Sequence, residues 1–288
     1  MNISVIIPTY NRVHLLERCV DTLLAQSHPP HTYEIIIVDD CSTDGTRNYV
    51  STLRHSTIRI YTLSKNQGPA AARNFGAQKA KYGILAFVDD DEEVPSDYLT
   101  TIARFFKLYP RGALTFRARA ARPAKLWMRV HETCYPFDAP YIPALSMSKL
   151  EGLAIPRHIF LSIRGYTESF RLAEDTELLW RMKGMNIPVY LCTSVTLLHH
   201  EPERTFAMLK KKFSWGLQVC RLKKLYPEYP YPIPNTLSHA LHYFMILPHG
   251  CFNHIRYARS FMHGMLTLPY YVLFRLAWIA GVLYGYRK

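Results

Sequence analysis

Phe87-Val-Asp-Asp-Asp-Glu-Glu93 is the stretch on which the fold turns. The apolar residues Ile84, Leu85, Phe87 and Val88 run directly into five consecutive carboxylates, Asp89, Asp90, Asp91, Glu92 and Glu93. A short apolar run ending in acid reads as a buried strand whose C-terminal end delivers charge into a crevice. Neighbouring carboxylates repel one another unless water or a divalent cation neutralises them, and hard oxygen ligands suit Mg²⁺ or Mn²⁺. Mg²⁺ keeps several waters and binds through one or two carboxylates plus substrate phosphates, which points to a nucleotide diphosphate as partner anion. In isolation the same residues also fit a charged turn at a strand end.

The chain on the N-terminal side supplies the context. Ile3 to Ile7 is a short apolar run that stops at Pro8-Thr-Tyr-Asn-Arg12, a first buried strand and its loop. Leu15, Leu16, Cys19, Val20, Leu23 and Leu24 recur at three and four residues, which predicts a helix. Glu34 to Val38 is a second strand that also runs into acids, Asp39 and Asp40, and Ser42 to Thr46 offers capping residues for a helix through about Leu53. Ile58 to Leu63 is a third strand; a turn-rich loop then leads to an Ala-rich helix carrying Arg73 and Asn74. The order β-α-β-α-β-α-β predicts an α/β fold with a mostly parallel, Rossmann-like sheet flanked by helices on both faces. Ligands of such sheets sit outside the C-terminal strand ends, and three of those ends carry Pro8 to Arg12, Asp39/Asp40 and Asp89 to Glu93. No G-x-G-x-x-G or P-loop follows any strand, so neither a dinucleotide fold nor a Walker ATPase is favoured. Acids at two strand ends suggest phosphate held through a metal and a base or ribose read by a carboxylate, although Asp39 and Asp40 also fit acids that complement a helix dipole.

On the C-terminal side a helix from Ser96 to Tyr109 and a strand from Ala113 to Arg117 precede an irregular segment, 118 to 149, with Pro123, Pro136, Pro140 and Pro143. Its Trp127, Tyr135, Phe137 and Tyr141 fit either a sugar-stacking loop or a packed excursion, with packing the favoured reading. Gly152 to Pro156 reads as a strand, and the next helix ends near Gly165-Tyr166. Glu174 and Asp175 open a helix with Leu178, Leu179 and Met182 on its apolar side; Asp175 or Thr176 would otherwise be a simple cap. Ile187 to Cys192 and Val195 to Leu198 read as two short strands, the second ending at His199-His200-Glu201.

Val5-Ile-Ile-Pro-Thr-Tyr-Asn-Arg12, Glu34-Ile-Ile-Ile-Val-Asp-Asp-Cys-Ser-Thr-Asp-Gly-Thr46, Asn66-Gln-Gly68, Ala71-Ala-Arg-Asn-Phe-Gly76 and Phe87-Val-Asp-Asp-Asp-Glu92 together resemble the successive motifs of family 2 glycosyltransferases with the GT-A fold. The match in order and spacing covers roughly the first 200 residues; Cys41 departs from it, standing where the family commonly has Gly. The resemblance implies a nucleotide-sugar donor of UDP or GDP type, with Pro8, Tyr10 and Asp40, joined by Asp39, at base and ribose, Arg73 near the diphosphate, and Asp89 and Asp91 as a D-x-D pair for Mn²⁺ or Mg²⁺ with Asp90 between them. It implies Asp175 as general base with Glu174 beside it; Glu174 and Glu177 are the rivals for that role, since a carboxylate must take the proton of the attacking hydroxyl. It also implies a third metal ligand or diphosphate contact at His199 or His200, and because successive strand residues point to opposite faces, only one of the two is expected there.

The 288 residues suffice for one large domain with an appendage, expected as a catalytic domain over 1–201 and a helical region over 202–288, with donor binding over about 1–118 and the acceptor side over about 119–201. Lys and Arg outnumber Asp and Glu by 35 to 22, and the excess lies in the tail: residues 202–288 hold 12 basic and 2 acidic side chains. Six scattered cysteines with no CxxC pair argue against a zinc site or a disulfide framework and fit a reducing cytosol, and no signal peptide is expected at the N-terminus. Phe206, Leu209, Phe213, Leu217 and Cys220 follow helical spacing among Lys210, Lys211, Lys212, Arg221, Lys223 and Lys224, a basic amphipathic helix suited to an anionic membrane surface, and Pro227 to Pro234 breaks the chain after it. Met265 to Tyr286 is long enough to span a bilayer, but Pro269 and the mid-span Arg275 favour a hairpin or in-plane helices at the cytosolic leaflet, anchored by Arg256, Arg259, Arg287 and Lys288.

The expectation is therefore a cytosol-facing, membrane-associated, inverting and metal-dependent glycosyltransferase acting on a glycan or lipid-linked acceptor. A sugar nucleotidyltransferase is the first alternative, disfavoured by the absence of a Gly-rich, Arg-Lys stretch after strand one. A basic, non-catalytic binding protein is the second; no nucleic-acid recognition motif is present, and no nucleic-acid partner is expected.

Overall fold

The computed structural model describes residues 1–121, 126–129, 141–143, 150–200, 204–230, 237–256, 258 and 260–286. Tyr135, Phe137, Pro123, Pro136, Pro140, Glu201, Pro234, Arg259, Arg287 and Lys288, singled out above, lie outside these residues. The chain forms two compact units, Met1–Arg119 with Phe137–His200, and Ala120–Pro136 with Glu201–Lys288. Segment 120–136, assigned by sequence to the acceptor side, thus falls in the second unit.

The first unit alternates strand and helix as the apolar periodicities predict: β1 (Ile3–Thr9), α1 (Val13–Leu24), β2 (Tyr33–Asp39), α2 (Thr46–Thr52), β3 (Ile58–Thr62), α3 (Pro69–Lys79) and β4 (Ile84–Phe87). Then come β5 (Glu92–Glu93), α4 (Tyr98–Leu108), β6 (Ala113–Ala120), β7 (Tyr141–Pro143), β8 (Ala154–Pro156), α5 (Arg157–Ser162), α6 (Glu174–Gly184) and β9 (Val189–His199). The strands lie in the order β3-β2-β1-β4-β8-β6-β9-β5, with β7 on β9. The first four are parallel, β1 pairing with both β2 and β4 and β2 with β3. Beyond β4 the ladders are antiparallel, β8 against β4 and β6, and β9 against β5 and β7. The sheet is therefore mixed, and the parallel order read from sequence is that of its N-terminal half. Ile187–Cys192 and Val195–Leu198 are not two strands: β9 runs unbroken through Thr193-Ser194.

The unbroken apolar runs follow from burial on both faces. Ile3, Val5 and Ile7 of β1 join Leu16, Val20 and Leu23 of α1 and Phe105 of α4 in one core layer, whereas Ile6 packs with Val38, Ala77 and Phe87 on the other face. Each such aliphatic side chain contributes about 1.5–3 kcal/mol when removed from water, enough collectively to fix the register. Gly76 sets how closely α3 approaches β1, since a Cβ there would lie 2.5 Å from the Ile6 side chain.

The second unit comprises a 3₁₀ turn at Leu126–Arg129 and three helices, α7 (Thr205–Leu225), α8 (Leu237–Arg256) and α9 (Phe261–Tyr286). Among its described residues, Met128, Met208 and Phe274 share a small core with Ala120. Pro269 and Arg275, expected to interrupt the last apolar segment, are both accommodated inside α9. The Arg275 guanidinium lies over the rings of Tyr271 and Trp278, at 5.8 and 5.4 Å from their centroids. α9 is long and apolar enough to cross a membrane by length and composition.

Candidate active site

The acids after β4 form a tight turn, Glu92 N–H donating to the Asp89 carbonyl at 3.0 Å and Asp89 N–H to Glu92 Oε2 at 3.0 Å. Two arginines serve the three aspartates. Asp89 accepts from Arg73 Nη2 at 2.5 Å. Asp90 accepts from the Thr9 hydroxyl at 2.8 Å and from Arg12 Nη1 at 2.9 Å, and the same Arg12 nitrogen donates to Asp91 Oδ2 at 2.7 Å. Burial overrides these partners for Asp90, whose pKa is pushed up to about 6; repulsion from Asp91 and Asp89 adds to the rise. Burial likewise raises Glu92 well above the usual carboxylate range. Its Oε1 has no hydrogen-bond partner among the described residues.

The two histidines separate as strand alternation requires. β5 pairs with β9 so that Glu92 lies opposite His199. His199 Nε2 stands 3.4 Å from Asp91 Oδ1, while the His200 ring contacts Glu93 Oε1 at 2.7 Å and the His200 backbone N–H donates to the Asp91 carbonyl at 2.8 Å. Arg18 approaches the same Glu93 oxygen at 3.9 Å.

Arg73 joins two parts of the sequence. Its Nη1 donates to Glu174 Oε1 at 2.7 Å, and its guanidinium lies 5.2 Å from the centroid of the Tyr166 ring. The first turn of α6 is thereby tied to the end of β4. Ala173 precedes α6 in left-handed conformation, so neither Asp175 nor Thr176 is its N-cap. Asp175 accepts from its neighbour Thr176 N–H at 2.8 Å and from Leu150 N–H at 3.3 Å. Glu177, a rival for the base, is fully buried and grips Arg181 with both oxygens at 2.6 and 2.9 Å, which occupies it in packing. Asn74 clamps the turn at Tyr166 through its carbonyl and amide, a structural duty.

On the far side of β1, Asp40 accepts from the N–H groups of Gln67 and Gly68 at 2.8 and 2.7 Å. Gly68 adopts φ +96°, which glycine alone takes without strain. Burial raises the Asp40 pKa against the pull of those two N–H groups and of Arg171. Asp39 accepts from Ser42 N–H at 2.9 Å and from Arg47 at 3.4 Å, so its carboxylate shapes the turn before α2. Pro8 is buried in β1, and Tyr10 beyond it is exposed. Asn11 accepts from Thr43 N–H at 2.7 Å while its own N–H donates to Ser42 Oγ at 2.9 Å. The loop after β1 thus touches both acidic strand ends, Asn11 on one side and Arg12 on the other. Tyr141 packs against Phe105 and Tyr109 and donates to the Thr101 carbonyl, which makes it a core residue and not a sugar platform.

Thr9, Arg12 and Arg18 belong to this constellation although sequence reading gave them no role of their own, and Glu92 and Glu93, read only as part of the acidic run, hold the turn and His200. The signal available was a cation two residues beyond Tyr10, facing a run of acids across the sheet. Among the described residues no three His, Cys, Asp or Glu side chains form a ready metal cage. The donor chemistry nevertheless fits a divalent cation, because Asp91 and His199 supply a carboxylate oxygen and an imidazole nitrogen that converge, and Mn²⁺ accepts both.

The first unit is an α/β fold whose parallel half-sheet carries acids at the C-terminal ends of β2 and β4. The family model described as glycosyl transferase family 2 matches residues 4–173, more than half of the chain, and the chain belongs to that family. A glycosyltransferase assigned to teichuronic acid biosynthesis in Bacillus subtilis is 42% identical over 99 residues, 34% of this chain and 38% of that one. The aligned stretches span only 17% to 38% of the length of the curated relatives first matched. Among solved structures, Staphylococcus aureus TarS 1–349 in complex with UDP superposes with a TM-score of 0.61 at 18% identity, covering 100% of this chain and 90% of that one. A mannosyltransferase from Pyrobaculum calidifontis in complex with GDP-Man and Mn²⁺ gives 0.64 at 18% identity, covering 98% and 87%. The fold is therefore of the GT-A type.

Proposed function

We propose that this chain is an inverting, metal-dependent glycosyltransferase that moves a sugar from a UDP- or GDP-type donor to an acceptor hydroxyl in surface polysaccharide, glycolipid or glycoprotein glycan synthesis. The observation that carries this reading is the buried Arg73 between Asp89 at 2.5 Å and Glu174 at 2.7 Å. One guanidinium spans the acids of the donor side and the first turn of the helix that carries Asp175, so the two halves of a transfer reaction lie within its reach. The neighbours with UDP and with GDP-Man and Mn²⁺ support the donor class.

In this reading Asp40 and Tyr10 serve base and ribose, Asp40 by fixing the Gln67–Gly68 backbone that borders them. Asp91 and His199 hold Mn²⁺ or Mg²⁺ with Asp89 nearby, and such an ion, when bound, offsets the charge that develops on the departing diphosphate. Asp175 takes the acceptor proton while two backbone N–H groups keep its carboxylate oriented, and attack opposite the leaving group inverts the anomeric carbon. Glu174 positions Asp175 by anchoring its turn to Arg73. Calorimetric titration with UDP and Mn²⁺ is the test. Asp91→Ala should lose metal-dependent nucleotide binding, whereas Asp175→Asn should keep it and lose transfer. Equal binding by wild type and Asp91→Ala would remove the metal role.

The second unit fits attachment in the plane of a membrane's cytosolic face. α7 and α9 meet backbone to backbone, since a Cβ on Gly216 would lie 2.0 Å from the Trp278 carbonyl oxygen and one on Gly281 2.0 Å from that of Phe213. If α9 crossed the bilayer, α7 would carry Lys210, Lys211, Lys212 and Arg221 towards hydrocarbon, at a cost of about 2.5–3.5 kcal/mol for a cation at the centre. Exposed Phe206, Phe261, Met262, Met265 and Leu266 supply apolar surface for the acyl boundary and the cations of α7 supply headgroup contacts.

A further inference from the structure

We propose that Arg12 is a resident counter-ion of the Asp90–Asp91 pair that hands Asp91 over when donor and cation bind, making the two bind together. This rests on Asp91 as a metal ligand, the reading given above. One nitrogen of Arg12, Nη1, serves both carboxylates, at 2.9 Å from Asp90 Oδ1 and 2.7 Å from Asp91 Oδ2. It therefore holds the Oδ2 side of the carboxylate whose Oδ1 faces His199, and in a low-dielectric site its charge repels a divalent cation bound to that same carboxylate. The partners differ in mobility. Asp90 and Asp91 are buried, and Asp90 is pinned by the Thr9 hydroxyl at 2.8 Å, whereas the Arg12 side chain is 48% exposed at the start of α1. Arg12 is the member that can leave.

Arg12 leaves at a loss unless it meets another anion, and a planar guanidinium is matched to the paired oxygens of a diphosphate. Asp90 keeps Thr9 when the arginine departs, and Asp89 keeps Arg73, so only Asp91 changes partners. Nucleotide then makes the departure favourable and the departure opens Asp91, a coupling that must act equally in both directions. The arrangement suppresses cation binding in the absence of donor.

The experiment measures Mn²⁺ affinity by electron paramagnetic resonance of the free ion, with and without UDP, on the full chain. Arg12→Gln should bind Mn²⁺ alone about tenfold more tightly than wild type, while the gain from UDP, about tenfold or more in wild type, should fall below about threefold. Arg12→Lys keeps a point charge at Asp91 but loses the planar grip on diphosphate; its affinity for Mn²⁺ alone should stay at the wild-type value and its gain from UDP should drop by about threefold or more. Unchanged or weaker Mn²⁺ binding by Arg12→Gln, in a variant whose melting curve remains cooperative, overturns the proposal. If Arg12→Gln does not fold, a full wild-type gain in Arg12→Lys overturns it alone. Absence of Mn²⁺ binding by wild type with UDP is a distinct result: it removes Asp91 as a metal ligand, and the handover falls with it.

Discussion

At the acidic strand ends of the first unit, most carboxylates hold a cation; in the helical second unit the charge is nearly all of one sign. Asp89 has Arg73, Asp90 and Asp91 have Arg12, and Glu93 has His200 with Arg18 nearby. Residues 202–288 hold 12 cations against 2 acids, with none after Glu228. Matched, buried charge fixes geometry and responds little to salt. An unmatched excess on exposed helices produces a field that reaches about a Debye length, ~8 Å at physiological ionic strength, and is screened beyond it. One pattern suits holding a reactive polyanion in register, the other suits holding the protein to an anionic surface.

The largest expected effect comes from breaking the matched side. Arg73→Met leaves Asp89 and the buried Glu174 without their shared cation, and losing one partner of a buried pair costs about 3–5 kcal/mol. Urea denaturation should show a loss of that order, and transfer should be abolished even where the variant still folds; a wild-type midpoint would mean that Arg73 does not join the two sides. A smaller effect follows from reversing charge on the cationic side. The exposed Lys210, Arg221 and Lys224, changed together to Glu, should lose at least about 3 kcal/mol of binding to anionic vesicles, at about 1 kcal/mol for each cation removed. Flotation with anionic and neutral vesicles reads this directly, and UDP affinity should remain unchanged. Retention on vesicles after a carbonate wash would show instead that α9 is inserted across the bilayer.

What could be read from the chain, and what could not, follows the same division. The parallel half of the sheet was legible because each strand is a buried apolar run with a helix-period segment behind it, and its acids stand at strand ends by count alone. The antiparallel half was legible only in part: the runs Ala113–Arg117 and Gly152–Pro156 fall on β6 and β8, but β7 is three residues long and β5 is the pair Glu92-Glu93, which reads as acid and not as strand. The polar pair Thr193-Ser194 reads as a break, yet β9 runs through it, paired with β7 before it at Tyr190–Cys192 and with β5 after it at Leu198–His199. The placement of His199 opposite Glu92 depends on that pairing.

Among the site residues, the acids and Arg73 were visible, but which acid each arginine holds was not. Arg12 reaches Asp90 across 78 positions of sequence, and Arg73 reaches Glu174 across 101. No local pattern encodes such contacts; the sheet order brings them about. In α9, Pro269 reads as a breaker because it lacks an N–H, yet the helix runs through it from Phe261 to Tyr286.

The measurement closest to the centre of this account is manganese anomalous diffraction from crystals grown with UDP and Mn²⁺. The account predicts a single peak bonded to Asp91 and His199 and facing the diphosphate, with Arg12 turned from Asp91 onto a phosphate oxygen. A peak away from Asp91, or nucleotide bound with Arg12 still seated on both carboxylates, would contradict it.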